Sequence, residues 1–186
     1  MTIETLVVGQ MATNCYIVDG IIIDPGDDAE YIMSHYKIKP TMIVATHGHF
    51  DHIMVAYALQ LAYNIPFYIH EDDIFLLGHM QSSAKHYLGL KSVDPPPKPT
   101  IIKNLPFIHT PGHTPGSICL KFGDALIVGD TIFADGAVGR TDFSYSEPLK
   151  LAPSISKILA YPNETRLLSG HGNETTIKNE LRYHKK

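Results

Sequence analysis

The sequence predicts an α/β fold of stacked β-sheets with helices on the outside, and two observations lead to this prediction. Apolar runs of strand length alternate with segments of helical character along most of the chain. The chain also falls into two similar β-rich halves that each carry helices, a pattern that favours layered sheets covered by helices. The length of 186 residues fits a single domain, 1–186, that needs no disulfide to be stable.

The first half is expected to alternate strands and helices. Its apolar runs of strand length are separated by Gly, Asp or helical segments. The predicted strands are 3–8, 13–18, 20–24, 42–45 and 67–69, the first three of them antiparallel. One helix is expected over 27–36, because its first turn is acidic, and a second over about 52–63.

The pattern loosens between residues 71 and 99 and ends in a proline-rich run, 94–99, which predicts a rigid extended linker. We interpret 79–99 as a lid or a surface connector that the core does not require. Beyond it, the predicted strands are 100–103, 107–109, 117–122, 125–128 and 166–168. Helices are expected over 147–160 and 174–183.

Composition and charge narrow the function classes. The net charge of −4 argues against a dominant nucleic-acid surface. Cys15 and Cys119 form no CxxC pair, so we expect two reduced core cysteines and no cysteine zinc site. The N-terminal segment lacks signal-peptide character and no apolar run is long enough to span a membrane, which predicts a cytoplasmic protein with no membrane partner.

Eleven histidines in 186 residues indicate a metal protein, and their spacing singles out one segment. His47 and His49 follow the predicted strand 42–45, and side chains two apart on an extended chain point the same way. Asp51 and His52 come where the chain turns into a helix and aim at a neighbouring point. Four candidate ligands within six residues can serve two adjacent metal ions.

Three further candidate ligands follow strands of the second half, each in a glycine-flanked loop. These are His113, Asp130 and His171. A carboxylate such as Asp130 has two oxygens and can bridge two divalent ions. Each residue alone has an ordinary structural explanation, but three in such loops indicate a function, because loops that follow strands commonly carry binding residues.

These motifs resemble the metallo-β-lactamase superfamily, whose signature is HxHxDH followed by a later His, Asp and His. The chain is most similar to the single-domain glyoxalase II-like hydrolases. The matching segments are TNCY from Thr13, THGHFDH from Thr46, TPGHTPGS from Thr110, GDTIF from Gly129, GRTD from Gly139 and GHGNETTI from Gly170.

The resemblance implies an αββα sandwich of two mixed sheets flanked by helices, with two divalent metal ions, zinc being expected and iron or manganese possible. The first ion would be bound by His47, His49 and His113. The second would be bound by Asp51, His52 and His171, with Asp130 bridging the two.

The implied activity is hydrolysis of a small-molecule hydroxyacyl thioester such as S-lactoylglutathione. Asp51 and Asp130 are the expected catalytic residues, and a thiol suits the reaction because it can leave as a thiolate without a strong general acid. Full-length glyoxalase II enzymes add a C-terminal helical domain that helps hold glutathione. Without that domain we expect glutathione-type substrates to bind weakly.

Other activities remain open on the sequence. A persulfide dioxygenase shares these motifs and would hold one iron on His47, His113 and Asp130. A metal-binding regulator without turnover, or a hydrolase of another ester, lactam or phosphodiester, are the further alternatives.

Two residues are candidate substrate contacts. Arg140 could bind a substrate carboxylate with two hydrogen bonds or form a salt bridge to Asp142. Tyr87, within the expected lid, could contact the acyl or thiol part, because small-molecule pockets are mostly apolar. The sequence predicts no particular oligomeric state.

Overall fold

The computed structural model describes residues 2–35, 39–103 and 105–184, and the chain divides into two compact units, 1–103 and 104–186. The predicted last residue of the first helix, Tyr36, lies outside the described residues. None of the helices within the described ranges is long and apolar enough to cross a bilayer. Each unit contains a mixed sheet and its own helices.

The first unit contains a six-stranded sheet in sequential order. Its strands are β1 (Ile3–Val8), β2 (Thr13–Val18), β3 (Ile21–Ile23), β4 (Met42–Val44), β5 (Phe67–Ile69) and β6 (Pro99–Ile101). The first three strands pair antiparallel, and β3 to β6 pair parallel. Pro99 opens the edge strand β6, where its missing N–H costs no interior ladder bond.

Five α-helices of the first unit are described: α1 (Ala29–His35), α2 (Phe50–Ile53), α3 (Ala56–Tyr63), α4 (Ile74–Leu77) and α5 (Met80–Leu88). The prediction of one helix over 52–63 was wrong, because α2 and α3 are separate. The N–H of Val55, at the break, donates to the carbonyl of Pro25 at 3.3 Å. That bond to the loop after β3 takes the place of a continuing helical bond.

One face of α5, within the segment 79–99, packs into the core of the first unit, so the prediction that the core does not require this segment was wrong. Met80 and Ala84 are buried, and Leu88 packs against the same apolar cluster. These residues follow one another at i, i+4 spacing and so share one face of α5. Polar residues separate these three positions in the sequence, so the segment was not predicted to be a helix with a buried face.

The second unit contains a five-stranded sheet and two α-helices. Its elements are β7 (Ile108–His109), β8 (Ile118–Phe122), β9 (Ala125–Gly129), α6 (Pro148–Leu159), β10 (Arg166–Ser169), β11 (Thr175–Thr176) and α7 (Ile177–His184). The strand order is β11-β10-β9-β8-β7. Only the β9–β10 pair is parallel among these strands. The chain after residue 174 forms the short strand β11 before α7, where the sequence predicted helix throughout.

Both cysteines are free and fully buried, which confirms the sequence prediction. Burial raises the pKa of the Cys119 thiol to about 12, although hydrogen bonds from threonine side chains act in the opposite direction. Burial, assisted by the charge of Asp24, also holds the pKa of Cys15 well above its usual range. Both residues therefore act as small apolar side chains at neutral pH.

Candidate metal centre

The segment after β4 brings two imidazoles together. Nε2 of His47 lies 3.1 Å from Nδ1 of His49. Two imidazole nitrogens that bind one zinc ion tetrahedrally at about 2.0–2.1 Å are roughly 3.3 Å apart. The separation in this structure thus fits a shared ion, as the alternation of side chains along an extended chain predicted.

Asp51 and His52 lie in the short helix α2, two and three residues after His49. The imidazole of His52 is fully buried, and its Nε2 is 3.7 Å from Oδ2 of Asp51. The ring centroid of His52 is 4.1 Å from that of His47. All four candidate ligands of the first unit therefore lie close together, and they comprise the imidazole and carboxylate donors that zinc and iron accept.

A buried carboxylate that the sequence analysis did not single out orients two of these imidazoles. Oδ2 of Asp24 accepts a hydrogen bond from Nδ1 of His52 at 3.0 Å and another from Oγ1 of Thr46 at 2.6 Å. The Thr46 hydroxyl in turn lies 3.1 Å from Nδ1 of His47. Both histidines therefore carry their proton on Nδ1, which leaves Nε2 of each as the nitrogen that can bind a metal.

The position of Asp24 has a signal in the sequence that could have been found. Asp24 directly follows β3, and one residue separates Thr46 from the end of β4. These two strands are parallel neighbours, so the residues after them emerge at the same edge of the sheet. A polar residue that ends the strand beside a metal-binding motif is therefore a candidate support for its ligands.

The three candidate ligands of the second unit converge on one carboxylate oxygen. Nε2 of His113 and Nε2 of His171 each lie 3.6 Å from Oδ2 of Asp130. These separations exceed an ordinary hydrogen bond. They suit a carboxylate that could share one cation with each imidazole, as the bridging role expected for Asp130 would require.

The orientation of His113 is fixed by the backbone. Its Nδ1 donates to the carbonyl oxygen of Arg140 at 2.8 Å, which leaves Nε2 as the nitrogen that can bind a metal. Gly139 allows this approach, since a Cβ there would lie 1.9 Å from the carbonyl oxygen of Asp130. Any larger residue at 139 would have to move the backbone next to Asp130.

The two candidate substrate contacts differ in their surroundings. Arg140 forms a bidentate ion pair with Asp142, both contacts being 2.6 Å, and these hydrogen bonds lower the pKa of Asp142 to about 2. Tyr87 is 54% exposed on α5, and its ring stacks on that of Phe50 with centroids 5.7 Å apart. Phe50 directly precedes Asp51, which places Tyr87 one aromatic ring away from a candidate ligand.

A small cleft of the first unit opens beside Asp51. It is shallow and open to solvent, and its lining is mixed. The apolar side chains are Val8, Met11, Phe50, Met54 and Leu88, and the polar ones are Thr13, Asp27 and Asp51.

The chain belongs to the metallo-β-lactamase superfamily, whose family model matches residues 8–171. It has the fold of that family, an α/β architecture with two mixed sheets and flanking helices, which confirms the predicted fold class.

Similar proteins include metallo-hydrolases and a metal-bound structure. The probable metallo-hydrolase YqgX of Bacillus subtilis is 33% identical, over 93% of this chain and 91% of its own. The hydroxyacylglutathione hydrolase GloC of Haemophilus influenzae is 30% identical, over 98% and 96% of the two chains. The crystal structure of TTHA1623 in a di-iron-bound form superposes with a TM-score of 0.90 at 31% identity, covering 98% of both chains.

Proposed function

We propose that the protein is a dinuclear metallohydrolase. The first ion would be held by His47, His49 and His113, and the second by Asp51, His52 and His171, with Asp130 as the bridge. The orientation of three imidazoles supports this proposal most directly, because hydrogen bonds to Nδ1 of His47, His52 and His113 direct Nε2 of each toward a metal.

The proposed substrate is a small hydroxyacyl thioester of the S-lactoylglutathione type. Bound zinc or a similar ion supplies a water-derived nucleophile at neutral pH and polarises the substrate carbonyl. In this proposal the Asp51 carboxylate orients the nucleophile, and Asp130 fixes the spacing of the two ligand sets. A thiol leaves as its anion because its pKa is about 8.5, so no buried general acid is required.

The substrate class is proposed from the relatives, and the surroundings of Asp51 offer it both apolar and polar contacts. The cleft beside Asp51 is lined by apolar and polar side chains, and Tyr87 stacks on Phe50, one of the lining residues. Arg140 pairs with Asp142 through Nε and Nη2, and the remaining N–H donors of its guanidinium could bind a substrate carboxylate. The hydroxyacylglutathione hydrolase among the relatives makes this substrate class the first to test.

The deciding experiment combines metal analysis with two activity assays on protein purified without added metal. Two zinc ions per chain and metal-dependent hydrolysis of S-lactoylglutathione are the expected results. One iron per chain with persulfide-dependent oxygen consumption would replace the proposal by a dioxygenase. Two bound ions with no turnover of any ester, thioester, lactam or phosphodiester would leave a metal-binding regulator.

A further inference from the structure

A buried carboxylate on the far side of the His-Gly-His segment has no part in the ligand set described above. Asp73 is fully buried at the start of α4. Its Oδ2 accepts a hydrogen bond from the backbone N–H of Gly48 at 2.8 Å. Gly48 is the residue between His47 and His49, so this bond reaches the peptide that joins two candidate ligands.

The contact between α4 and Gly48 is tight as well as hydrogen-bonded. A Cβ built on Gly48 would lie 2.8 Å from Cβ of Leu76 and 3.0 Å from the carbonyl oxygen of Asp73. The loop therefore rests directly on the turn that carries Asp73, with no room for a side chain between them.

Burying a charged carboxylate costs free energy unless the carboxylate is hydrogen-bonded. A charged carboxylate also accepts a stronger hydrogen bond from an amide than a neutral acceptor does. We infer that Asp73 is a positioning residue for the first metal ion. By holding the Gly48 N–H it fixes the plane of the peptide between His47 and Gly48, and thereby the directions in which both imidazoles leave the chain.

This inference rests on the proposed metal centre and refines it, because it adds a support on the side of the first ion. Asp24 contacts His52 directly and His47 through Thr46, and so acts on ligands of both ions, whereas Asp73 accepts the hydrogen bond of the Gly48 peptide between the two histidines of the first ion. Loss of Asp73 should therefore weaken the ion bound by His47 and His49 more than the ion bound by Asp51 and His52.

The test is a titration of metal-free protein with Co²⁺, followed by absorbance and by chelator competition. In Asp73→Leu we expect one of the two ions to bind about 10- to 100-fold more weakly, the usual effect of losing a support behind a metal ligand. The second ion should keep its wild-type affinity. Asp73→Asn retains an oxygen acceptor and should restore most of the lost affinity.

Asp72→Leu is the matched control, because Asp72 occupies the same turn but its carboxylate is half exposed and faces His70. It should bind both ions as the wild type does. If Asp73→Leu does not fold, Gly48→Ala tests the same contact, since the added Cβ must push the loop off Leu76; it too should weaken one ion selectively.

The outcomes separate this inference from the proposed function. Equal affinities for both ions in wild type and Asp73→Leu would overturn the positioning role and leave the metal centre standing. Equal weakening of both ions, without rescue by Asn, would likewise overturn it, because a merely structural carboxylate predicts that result. A wild-type protein that binds no ion would overturn the metal centre and this inference together.

Discussion

Asp24 and His52 form a fully buried carboxylate–imidazole pair, with Oδ2 of Asp24 3.0 Å from Nδ1 of His52. They are 28 residues apart in the sequence, on segments that follow β3 and the metal-binding loop after β4. The pair lies behind the candidate ligands rather than among them. Its contribution is to set which nitrogen of the imidazole carries the proton.

The first prediction concerns this pair. Asp24→Asn should weaken zinc binding about 10- to 100-fold. Oδ1 of Asp24 accepts a hydrogen bond from the Thr46 N–H, and Oδ2 accepts from the Thr46 hydroxyl and from His52. The amide NH₂ of asparagine would therefore face a hydrogen-bond donor in either orientation of the side chain. Competition with a zinc chelator measures the change.

Asp19→Asn is the control for that variant, because Asp19 also has a left-handed backbone conformation but is exposed in the turn after β2. It should bind zinc as the wild type does. Wild-type affinity in Asp24→Asn would show that the pair does not support the metal.

The second prediction concerns the proposed bridge. Asp130→Ala should lose most hydrolytic activity and at least one metal ion per chain, because His113 and His171 both face its Oδ2. Elemental analysis and circular dichroism of the same sample separate metal loss from unfolding. Asp124→Asn, in the exposed turn before β9, should keep both ions; full metal content and turnover in Asp130→Ala would contradict the assignment.

The third prediction concerns the two buried thiols. Neither Cys15 nor Cys119 should react with a disulfide reagent at pH 8 until the protein unfolds, because burial raises both pKa values. A folded pKa above the unfolded one stabilises the fold below the unfolded value and loses that effect as pH rises. The free energy of unfolding should thus decline between about pH 8.5, the ordinary thiol pKa, and pH 12, as urea unfolding would measure. Rapid labelling of the native protein at pH 8 would contradict the expected protection of the thiols.

The fourth prediction separates the two roles considered for Arg140. If its guanidinium binds a substrate carboxylate, Arg140→Gln should raise the KM of a glutathione thioester about two- to fivefold, the scale of an exposed ion pair. The KM of an uncharged acyl thioester and the metal content should not change. If the KM of Arg140→Gln equals that of the wild type for both substrates, Arg140 has no role in binding the substrate carboxylate.

The pH dependence of that ion pair follows from the lowered pKa of Asp142. A depressed folded pKa contributes stability that is complete above the unfolded value, near 4, and is lost as pH falls through about 2. Asp142 should therefore produce no change in activity between pH 5 and pH 9. A pH–rate profile of Asp142→Asn that differs from the wild type in that window would contradict this expectation.

The fifth prediction concerns Tyr87. Tyr87→Ala should raise KM and leave kcat and metal content unchanged, because it removes contact area shared by substrate and transition state. Tyr31→Ala, a second partly exposed tyrosine on α1, is the control and should leave KM unchanged. Unaltered kinetics in Tyr87→Ala would leave α5 with a structural role only.

Much of the fold could be predicted from the sequence, because strand-length apolar runs and the spacing of His47, His49, Asp51 and His52 are local signals. The break between α2 and α3 was not predictable in this way. It depends on a bond from Val55 to Pro25, thirty residues earlier in the chain. The roles of Asp24 and Asp73 were missed for the same reason, since each acts on a histidine segment from another part of the chain.

The main-chain carbonyl of Arg140 accepts the hydrogen bond that orients His113, while the side chain of the same residue pairs with Asp142. Position 140 thus makes two separate interactions, and only the side-chain ion pair depends on which amino acid is present. A relative with another residue at this position could keep the imidazole in place and still accept a different substrate. If Arg140 binds the substrate, position 140 is a suitable place to redesign specificity without disturbing the candidate metal ligands.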